Sequence, residues 1–122
     1  MKKRILVIED TEDNRRILND LLTAAGYDIF EATDGETGVA MALEQLPDLI
    51  LMDIQLPVID GYEATRRIKA DPATRHIPIV AVTSYALAGD EARTREAGCD
   101  GYIAKPYSPR NLLEKVRTFL GG

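Results

Sequence analysis

The sequence predicts an α/β protein with a doubly wound, parallel five-stranded sheet and helices on both of its faces. Strand-like and helix-like patterns alternate five times along the 122 residues, which is typical of successive β-α units. The strand-like runs in the middle of the chain are apolar throughout, as in strands that a parallel sheet buries on both faces. The length suits one domain with a single core.

The first two strand–helix units occupy residues 5–47. Residues 5–8 (ILVI) form a short, β-branched apolar run, which predicts the first strand. The first helix then has Gly26 at its stop, and its apolar residues at helical spacing are Ile17, Leu18, Leu21, Leu22 and Ala25. Residues 27–32 are more polar and suit an edge strand. The second helix ends at Pro47, and its apolar stripe is Val39, Ala42, Leu43 and Leu46.

The third and fourth units follow the same pattern. Residues 49–52 (LILM) predict the third strand, and residues 61–70 predict a helix that ends at Asp71-Pro72. One side of that helix carries Tyr62, Thr65 and Ile68. Residues 79–82 (IVAV) predict the fourth strand. Residues 87–97 predict a fourth helix rich in small and charged residues, so we expect light packing, as a movable element needs.

The fifth unit completes the sheet. Residues 102–104 predict a short strand, and Ser108-Pro109 supplies the N-cap and first position of the last helix. Its apolar face is formed by Leu112, Leu113, Val116, Phe119 and Leu120. With right-handed crossovers, five such units favour the flavodoxin-like strand order 2-1-3-4-5, whose ligand site lies at the carboxyl ends of strands one and three.

Composition excludes several classes of function. There are 15 Lys and Arg residues against 20 Asp and Glu, a net charge of -5, so we expect no nucleic-acid partner. One Cys and one His cannot form a disulfide framework or the usual zinc site. The chain shows no signal peptide and no apolar stretch of the roughly 18 residues that cross a membrane. We therefore expect a cytoplasmic protein without a membrane partner, its residues 1–122 forming one domain with no effector domain.

Polar side chains follow the strands at one edge of the predicted sheet. Glu9 and Asp10 follow the first strand, Asp53 the third, Thr83 the fourth and Lys105 the fifth. Three converging carboxylates repel one another, so either one takes up a proton with a raised pKa or a cation lies among them. Oxygen ligands without His or Cys favour Mg²⁺ or Mn²⁺. The lysine and the hydroxyl complete a cradle for a phosphoryl group.

These positions resemble the receiver domain of two-component response regulators, and the resemblance covers essentially the whole chain. The matching residues are Glu9, Asp10, Asp53, Thr83, Tyr102, Lys105 and Pro106. Pro57 and Gly61 match the family's loop after the third strand. The segments ILVIEDTEDN, PDLILMDIQLP and HIPIVAVTSYALAGDE are especially similar to single-domain cell-division regulators of the DivK type.

The resemblance implies that Asp53 accepts a phosphoryl group from a phosphohistidine. The donor is a sensor histidine kinase or a histidine phosphotransfer protein, and Mg²⁺ is required. The implied metal ligands, direct or through water, are Glu9, Asp10, Asp53 and the backbone carbonyl of Gln55. Lys105 pairs with the phosphoryl oxygens, and Thr83 moves toward them. The Lys105-Pro106 peptide bond is expected to be cis, a form accessible mainly before proline.

The resemblance also implies how the signal leaves the site and how long it lasts. Tyr102 turns inward and alters the face formed by the fourth helix, fifth strand and fifth helix, where a downstream protein binds. Gln55 and Tyr85 flank the path of hydrolytic water. Because the bulky Tyr85 cannot act as a base near neutral pH, we predict a fairly long-lived phosphoryl group. The family is a signalling module rather than an enzyme, although its members assist their own phosphotransfer and dephosphorylation.

A cell-division or phosphorelay regulator has three alternatives. A chemotaxis-type regulator of the same fold is the nearest alternative. A flavodoxin-like cofactor carrier would have a loop rich in Gly, Ser or Thr after the first strand, but residues 10–14 (DTEDN) are acidic and would repel a phosphate. A phosphatase with Asp53 as nucleophile would usually have an acid two residues later, where this chain has Gln55.

Overall fold

The fold is a parallel five-stranded sheet in the order β2-β1-β3-β4-β5. The computed structural model describes residues 2–83 and 90–121. The strands are β1 (Arg4–Ile8), β2 (Asp28–Ala32), β3 (Leu49–Asp53), β4 (Ile79–Thr83) and β5 (Gly101–Ala104). The predicted fold class and strand order are confirmed, and the more polar β2 lies at an edge of the sheet as expected.

Helices cover both faces of this sheet. Within the described ranges they are α1 (Glu12–Ala24), α2 (Gly35–Gln45), α3 (Gly61–Ala70), α4 (Asp90–Ala97) and α5 (Pro109–Leu120). Residues 87–89 of the predicted fourth helix lie outside the described residues. None of the helices in the described ranges is long and apolar enough to cross a membrane.

The core has two layers because successive residues of a strand face opposite sides of the sheet. In β1, Leu6 and Ile8 pack with α2 and α3 on one face. Ile5 and Val7 pack with α1 and α5 on the other face. The third and fourth strands are buried along their whole length, which explains why their sequences are apolar runs.

The predicted helix ends are also confirmed. The Ser108 hydroxyl accepts a hydrogen bond from the Asn111 backbone N–H at 3.0 Å, and Pro109 lies in the first turn of α5. Gly26 follows the end of α1 with a φ of 98°, a left-handed conformation that glycine adopts without steric penalty. These local signals therefore fix where α1 ends and where α5 begins.

Two predicted apolar stripes are wider than the faces that the fold buries. Ile17 and Leu43 are each 50% exposed and Leu46 is 49% exposed. A helix on a sheet of five short strands buries only a narrow strip of its surface. In α1 the buried residues of this strip are Leu18 and Leu22, which lie one turn apart. Leu46 lies beyond the last turn of α2 as its C-cap. The exposed Ile17 becomes important at the functional site.

The described part of α4 is lightly packed, as predicted. Among residues 91–97 the buried side chains are those of Thr94 and Ala97. The Arg93 guanidinium lies 4.5 Å from the centre of the Tyr62 ring on α3, a cation–π contact. Few large apolar contacts therefore hold this segment against the rest of the protein.

Candidate functional site

Three carboxylates meet where β1 and β3 end. One oxygen each from Glu9, Asp10 and Asp53 lies within 4.8 Å of the others. The parallel register pairs Ile8 with Met52, so the residues that follow them, Glu9 and Asp53, are neighbours. Glu9 and Asp53 are only 2% and 5% exposed, whereas Asp10 is open to solvent. The structure thus brings together the acids that the sequence places at this edge.

Lys105 directly follows the edge strand β5, and its side chain extends to the acids. Its Nζ lies 2.9 Å from Glu9 Oε1 and 3.9 Å from Asp53 Oδ2. Its backbone N–H donates to the Thr83 carbonyl oxygen at 2.7 Å, and its peptide bond to Pro106 is cis. One ammonium group therefore faces two buried carboxylates.

Burial raises the pKa of Asp53, and hydrogen bonding and charge from the adjacent Glu9 act in the same direction, so that this pKa is about 7. The Gln55 backbone N–H, 3.0 Å from Asp53 Oδ1, acts in the opposite direction. Burial also acts to raise the pKa of Glu9, but hydrogen bonds from Asp53, Lys105 and the Thr11 N–H hold that pKa below its usual value. Without a metal ion, the repulsion between the carboxylates is therefore relieved below about pH 7 by a proton on Asp53.

The raised pKa makes metal-free stability depend on pH. Between the ordinary pKa of 3.8 and the folded value of about 7, the folded protein holds more proton on Asp53 than the unfolded chain does. The Asp53 contribution to the free energy of unfolding is therefore present at low pH and is lost as pH rises through 7. We expect the free energy of unfolding of Asp53→Asn, relative to that of the unsubstituted chain, to increase by about 3 kcal/mol between pH 4.5 and 8.

Urea denaturation in EDTA across this range measures the difference. Asp13→Asn, at an exposed acid in the first turn of α1, is the matched control and should run parallel to the unsubstituted chain. A stability difference between Asp53→Asn and the unsubstituted chain that stays constant with pH would contradict the raised pKa.

Two residues that support the site are not identified as such by the sequence. Arg15 Nη1 donates to the carbonyl oxygens of Glu9 and Asp10 at 2.9 and 3.0 Å, which fixes the backbone of the acidic pair. Gly61 packs directly against the backbone of Asp53 and Ile54. The family motif includes Gly61 but does not reveal this contact. Arg15 could not be predicted because a side chain that binds backbone carbonyl oxygens leaves no sequence pattern.

Comparison with known proteins shows the family. Residues 5–117 match the profile of the response regulator receiver domain. The chain belongs to this family. It is 44% identical over 121 residues to the polar-differentiation response regulator DivK of Brucella anthropi, which covers 99% of this chain and 98% of that protein.

Solved receiver structures have the same fold. The receiver domain of a sensor histidine kinase from Pseudomonas aeruginosa, with a magnesium ion in its active-site cleft, is 38% identical with a TM-score of 0.93, and 100% of both chains is covered. A putative response regulator from Chloroflexus aurantiacus is 30% identical with a TM-score of 0.95, again over 100% of both chains. This receiver domain is therefore a two-component signalling module, similar in sequence to DivK.

The remaining predicted residues of this receiver domain are distributed around the acids. Thr83 is buried at the end of β4, Tyr102 is half-buried in β5, and Gln55 is exposed directly after the acidic cluster. Tyr85, predicted to tune phosphoryl lifetime, lies outside the described residues, and its role stays a prediction.

A groove of about 390 Å³ opens beside the Lys105 of this receiver domain. It is lined by Asn14, Ile17, Lys105, Pro106 and Tyr107. Its surface is mostly apolar, and the half-exposed Ile17 is part of it. The receiver site therefore has an apolar wall on the α1 side.

Proposed function

We propose that this receiver domain accepts a phosphoryl group from a phosphohistidine onto Asp53. The observation that carries the proposal is the surrounding of Asp53: two further carboxylates within 4.8 Å and a lysine ammonium at 3.9 Å. The acids together with the lysine can hold a cation and an anion at once.

The donor set fits Mg²⁺. All three side chains offer hard oxygen ligands, which Mg²⁺ prefers and which Mn²⁺ also accepts. The proposed ligands, direct or through water, are Glu9, Asp10, Asp53 and the Gln55 backbone carbonyl. The magnesium ion in the related Pseudomonas structure supports this assignment. When bound, the cation neutralises charge on the carboxylates and on the transferred phosphoryl oxygens.

The transfer itself is a displacement at phosphorus. The deprotonated Asp53 oxygen attacks, an O–P bond forms, and the P–N bond to the donor imidazole breaks with its electron pair left on nitrogen. Lys105, which already lies 3.9 Å from Asp53 Oδ2, pairs with the phosphoryl oxygens. The Thr83 hydroxyl donates a hydrogen bond to the same group. The chain thus acts as a phosphoryl acceptor and assists its own transfer and dephosphorylation.

The phosphorylated state would be read at the face formed by α4, β5 and α5. Movement of Thr83 toward the phosphoryl group opens space on the neighbouring strand, where Tyr102 lies two register pairs from Thr83 in the β4–β5 ladder. A cavity of about 180 Å³ adjoins Tyr102 and is also lined by Thr94 and Lys115. Because α4 is lightly packed, a rotation of Tyr102 can shift this face and so change the binding of a downstream protein.

The phosphoryl donor would be a sensor histidine kinase or a histidine phosphotransfer protein. The apolar groove supports this, because it shares Lys105 with the acidic site and presents Ile17 and Pro106 beside it. A protein seated there would bring its phosphohistidine to Asp53. The 44% identity to DivK favours a cell-division or phosphorelay role over a chemotaxis-type role. We further propose that residues 1–122 act as one receiver domain in the cytoplasm.

Incubation with Mg²⁺ and phosphoramidate, followed by intact-mass measurement, tests the proposal. We expect the unsubstituted chain to gain one phosphoryl group and Asp53→Asn to gain none, because the amide cannot form the acyl phosphate. EDTA should prevent labelling of the unsubstituted chain. Asp13→Asn, which removes an exposed acid in the first turn of α1, should be labelled normally. Labelling of Asp53→Asn to the same extent would show that another residue is the acceptor.

A further inference from the structure

The fold covers most of the Arg15 side chain, which is only 17% exposed. An arginine is seldom covered to this extent unless its donors are satisfied. Here a single nitrogen, Nη1, donates to the Glu9 and Asp10 carbonyl oxygens at 2.9 and 3.0 Å. The next residue of α1, Arg16, is 64% exposed and lies 3.3 Å from Glu12 on the same helix. Arg15 is therefore directed toward the acidic site, whereas Arg16 belongs to the helix surface.

The two carbonyl groups that Arg15 holds belong to the peptide units on either side of Asp10. Because a peptide unit is planar, fixing its carbonyl oxygen restricts the whole unit. Holding both units sets the direction in which the Asp10 side chain leaves the backbone. The Glu9 carboxylate has a further anchor, the Lys105 ammonium at 2.9 Å, whereas Asp10 is exposed. The guanidinium therefore determines above all where the Asp10 carboxylate points.

Arg15 is in turn held from the side of the edge strand β2. Its Nε lies 3.6 Å from Glu31 Oε2, and the other oxygen of Glu31 accepts a hydrogen bond from Asn19 Nδ2 at 3.0 Å. The guanidinium thus lies between a carboxylate and the backbone of the acidic pair. This carboxylate offsets the positive charge of Arg15, which would otherwise repel a cation bound nearby.

We propose that Arg15 is a positioning residue for divalent-cation binding: by holding both peptide units beside Asp10, its guanidinium directs that carboxylate toward Glu9 and Asp53. The proposal rests on the Mg²⁺ site of the proposed function. Mg²⁺ requires nearly ideal octahedral geometry, so its affinity is sensitive to the direction of each ligand. Residues that orient metal ligands typically change metal affinity by about 10- to 100-fold when they are replaced. Arg15 acts through the backbone and takes no part in the transfer at Asp53.

Positioning and charge predict opposite changes in Mg²⁺ affinity. If Arg15 acted only through its charge, removing it would strengthen Mg²⁺ binding, because one positive charge near the site would be lost. If it orients Asp10, removing its donors weakens binding although the charge is also lost. The sign of the change in the dissociation constant therefore distinguishes the two roles.

The experiment measures Mg²⁺ affinity and stability together, by urea denaturation at one temperature. The rise in the free energy of unfolding with MgCl₂ concentration, at constant ionic strength, gives the dissociation constant, and samples in EDTA give the metal-free stability. We expect Arg15→Met, which keeps most of the stem, to raise the dissociation constant about tenfold. Arg15→Lys keeps the charge, but its nitrogen ends one bond short of Nη1, so we expect a rise of about threefold.

Arg16→Met is the matched control, because it removes the same charge one residue further along α1. Its exposed charge is screened by salt, so the dissociation constant should stay within about twofold of that of the unsubstituted chain. If Arg15→Met is unfolded in EDTA, Arg15→Lys carries the test. A dissociation constant that is unchanged or lower in the Arg15 variants, whatever their stability, would overturn the positioning role.

Phosphoramidate labelling separates this inference from the proposed function. At saturating Mg²⁺ the Arg15 variants should be labelled at nearly the rate of the unsubstituted chain, because the same ligands then hold the ion. An unsubstituted chain that binds no Mg²⁺ would contradict the metal site and this inference with it. If Mg²⁺ affinity changes in the expected order but no chain is labelled, the positioning role is supported and the phosphoryl-acceptor function is contradicted.

Discussion

Replacing Lys105 with methionine is expected to destabilise the metal-free protein by about 3 kcal/mol near pH 8. Glu9 and Asp53 are almost fully buried, and the Lys105 ammonium contacts both of them. Its removal leaves two charged groups in a poorly solvated site. Methionine keeps most of the side-chain stem, so the loss reflects charge rather than a cavity.

The loss should be smaller near pH 5.5, because Asp53, with a pKa of about 7, is then protonated and only Glu9 remains charged. Urea denaturation in EDTA at the two pH values measures both losses. Lys2→Met is the matched control: Lys2 also lies 3.9 Å from a carboxylate, that of Asp28, but its side chain is 64% exposed. Exposed pairs contribute about 0–1 kcal/mol. A pH-independent loss of the same small size at Lys105 would contradict the role assigned to it.

Replacing Gly61 with alanine is expected to destabilise the protein by about 3 kcal/mol and to impair phosphoryl acceptance. The added Cβ would overlap the Asp53 carbonyl oxygen and lie 2.6 Å from Ile54 Cα. Both obstacles are backbone atoms, so no side-chain rotation relieves them. Either α3 moves away from the sheet or the end of β3 shifts, and β3 carries Asp53.

Two other glycines are controls for this substitution. Gly26→Ala meets nothing within 4 Å, although its φ is 98°, so only backbone strain of about 1 kcal/mol applies. Gly38→Ala would lie 2.5 Å from Ile8 Cδ1, the end of a side chain that can shift, so its loss should be intermediate. Urea midpoints and the extent of phosphoramidate labelling measure the two effects. Equal losses at Gly61 and Gly26 would show that the close backbone approach is unimportant.

Much of the fold could be predicted because its signals are local. A strand buried on both faces must be apolar at every position, so residues 49–52 and 79–82 identify β3 and β4 directly. A proline after a serine identifies the start of α5, and Gly26 identifies the end of α1. Strand order and the handedness of crossovers then follow from general rules, which is why the carboxyl-edge residues could be grouped before any distance was known.

The helix faces could be predicted only in part. Helical periodicity shows which residues share a side of a helix, but it does not show how wide a strip the sheet covers. Ile17 and Leu22 belong to the same predicted apolar stripe of α1, yet Ile17 is half-exposed and Leu22 is buried. The difference arises because Ile17 lies beside the open groove near Pro106 and Tyr107, residues that are distant in sequence.

The sequence by itself determined the fold class, the strand order and the identity of the acids, hydroxyl and lysine at one edge of the sheet. Only the tertiary structure decided that the Lys105 ammonium lies closer to Glu9 than to Asp53, and that burial beside Glu9 raises the pKa of Asp53. The physical reason is the separation along the chain of the residues that determine each property. Strand and helix patterns depend on neighbouring residues, whereas the protonation and reach of a buried side chain depend on desolvation and charge from segments that meet only after the chain has folded.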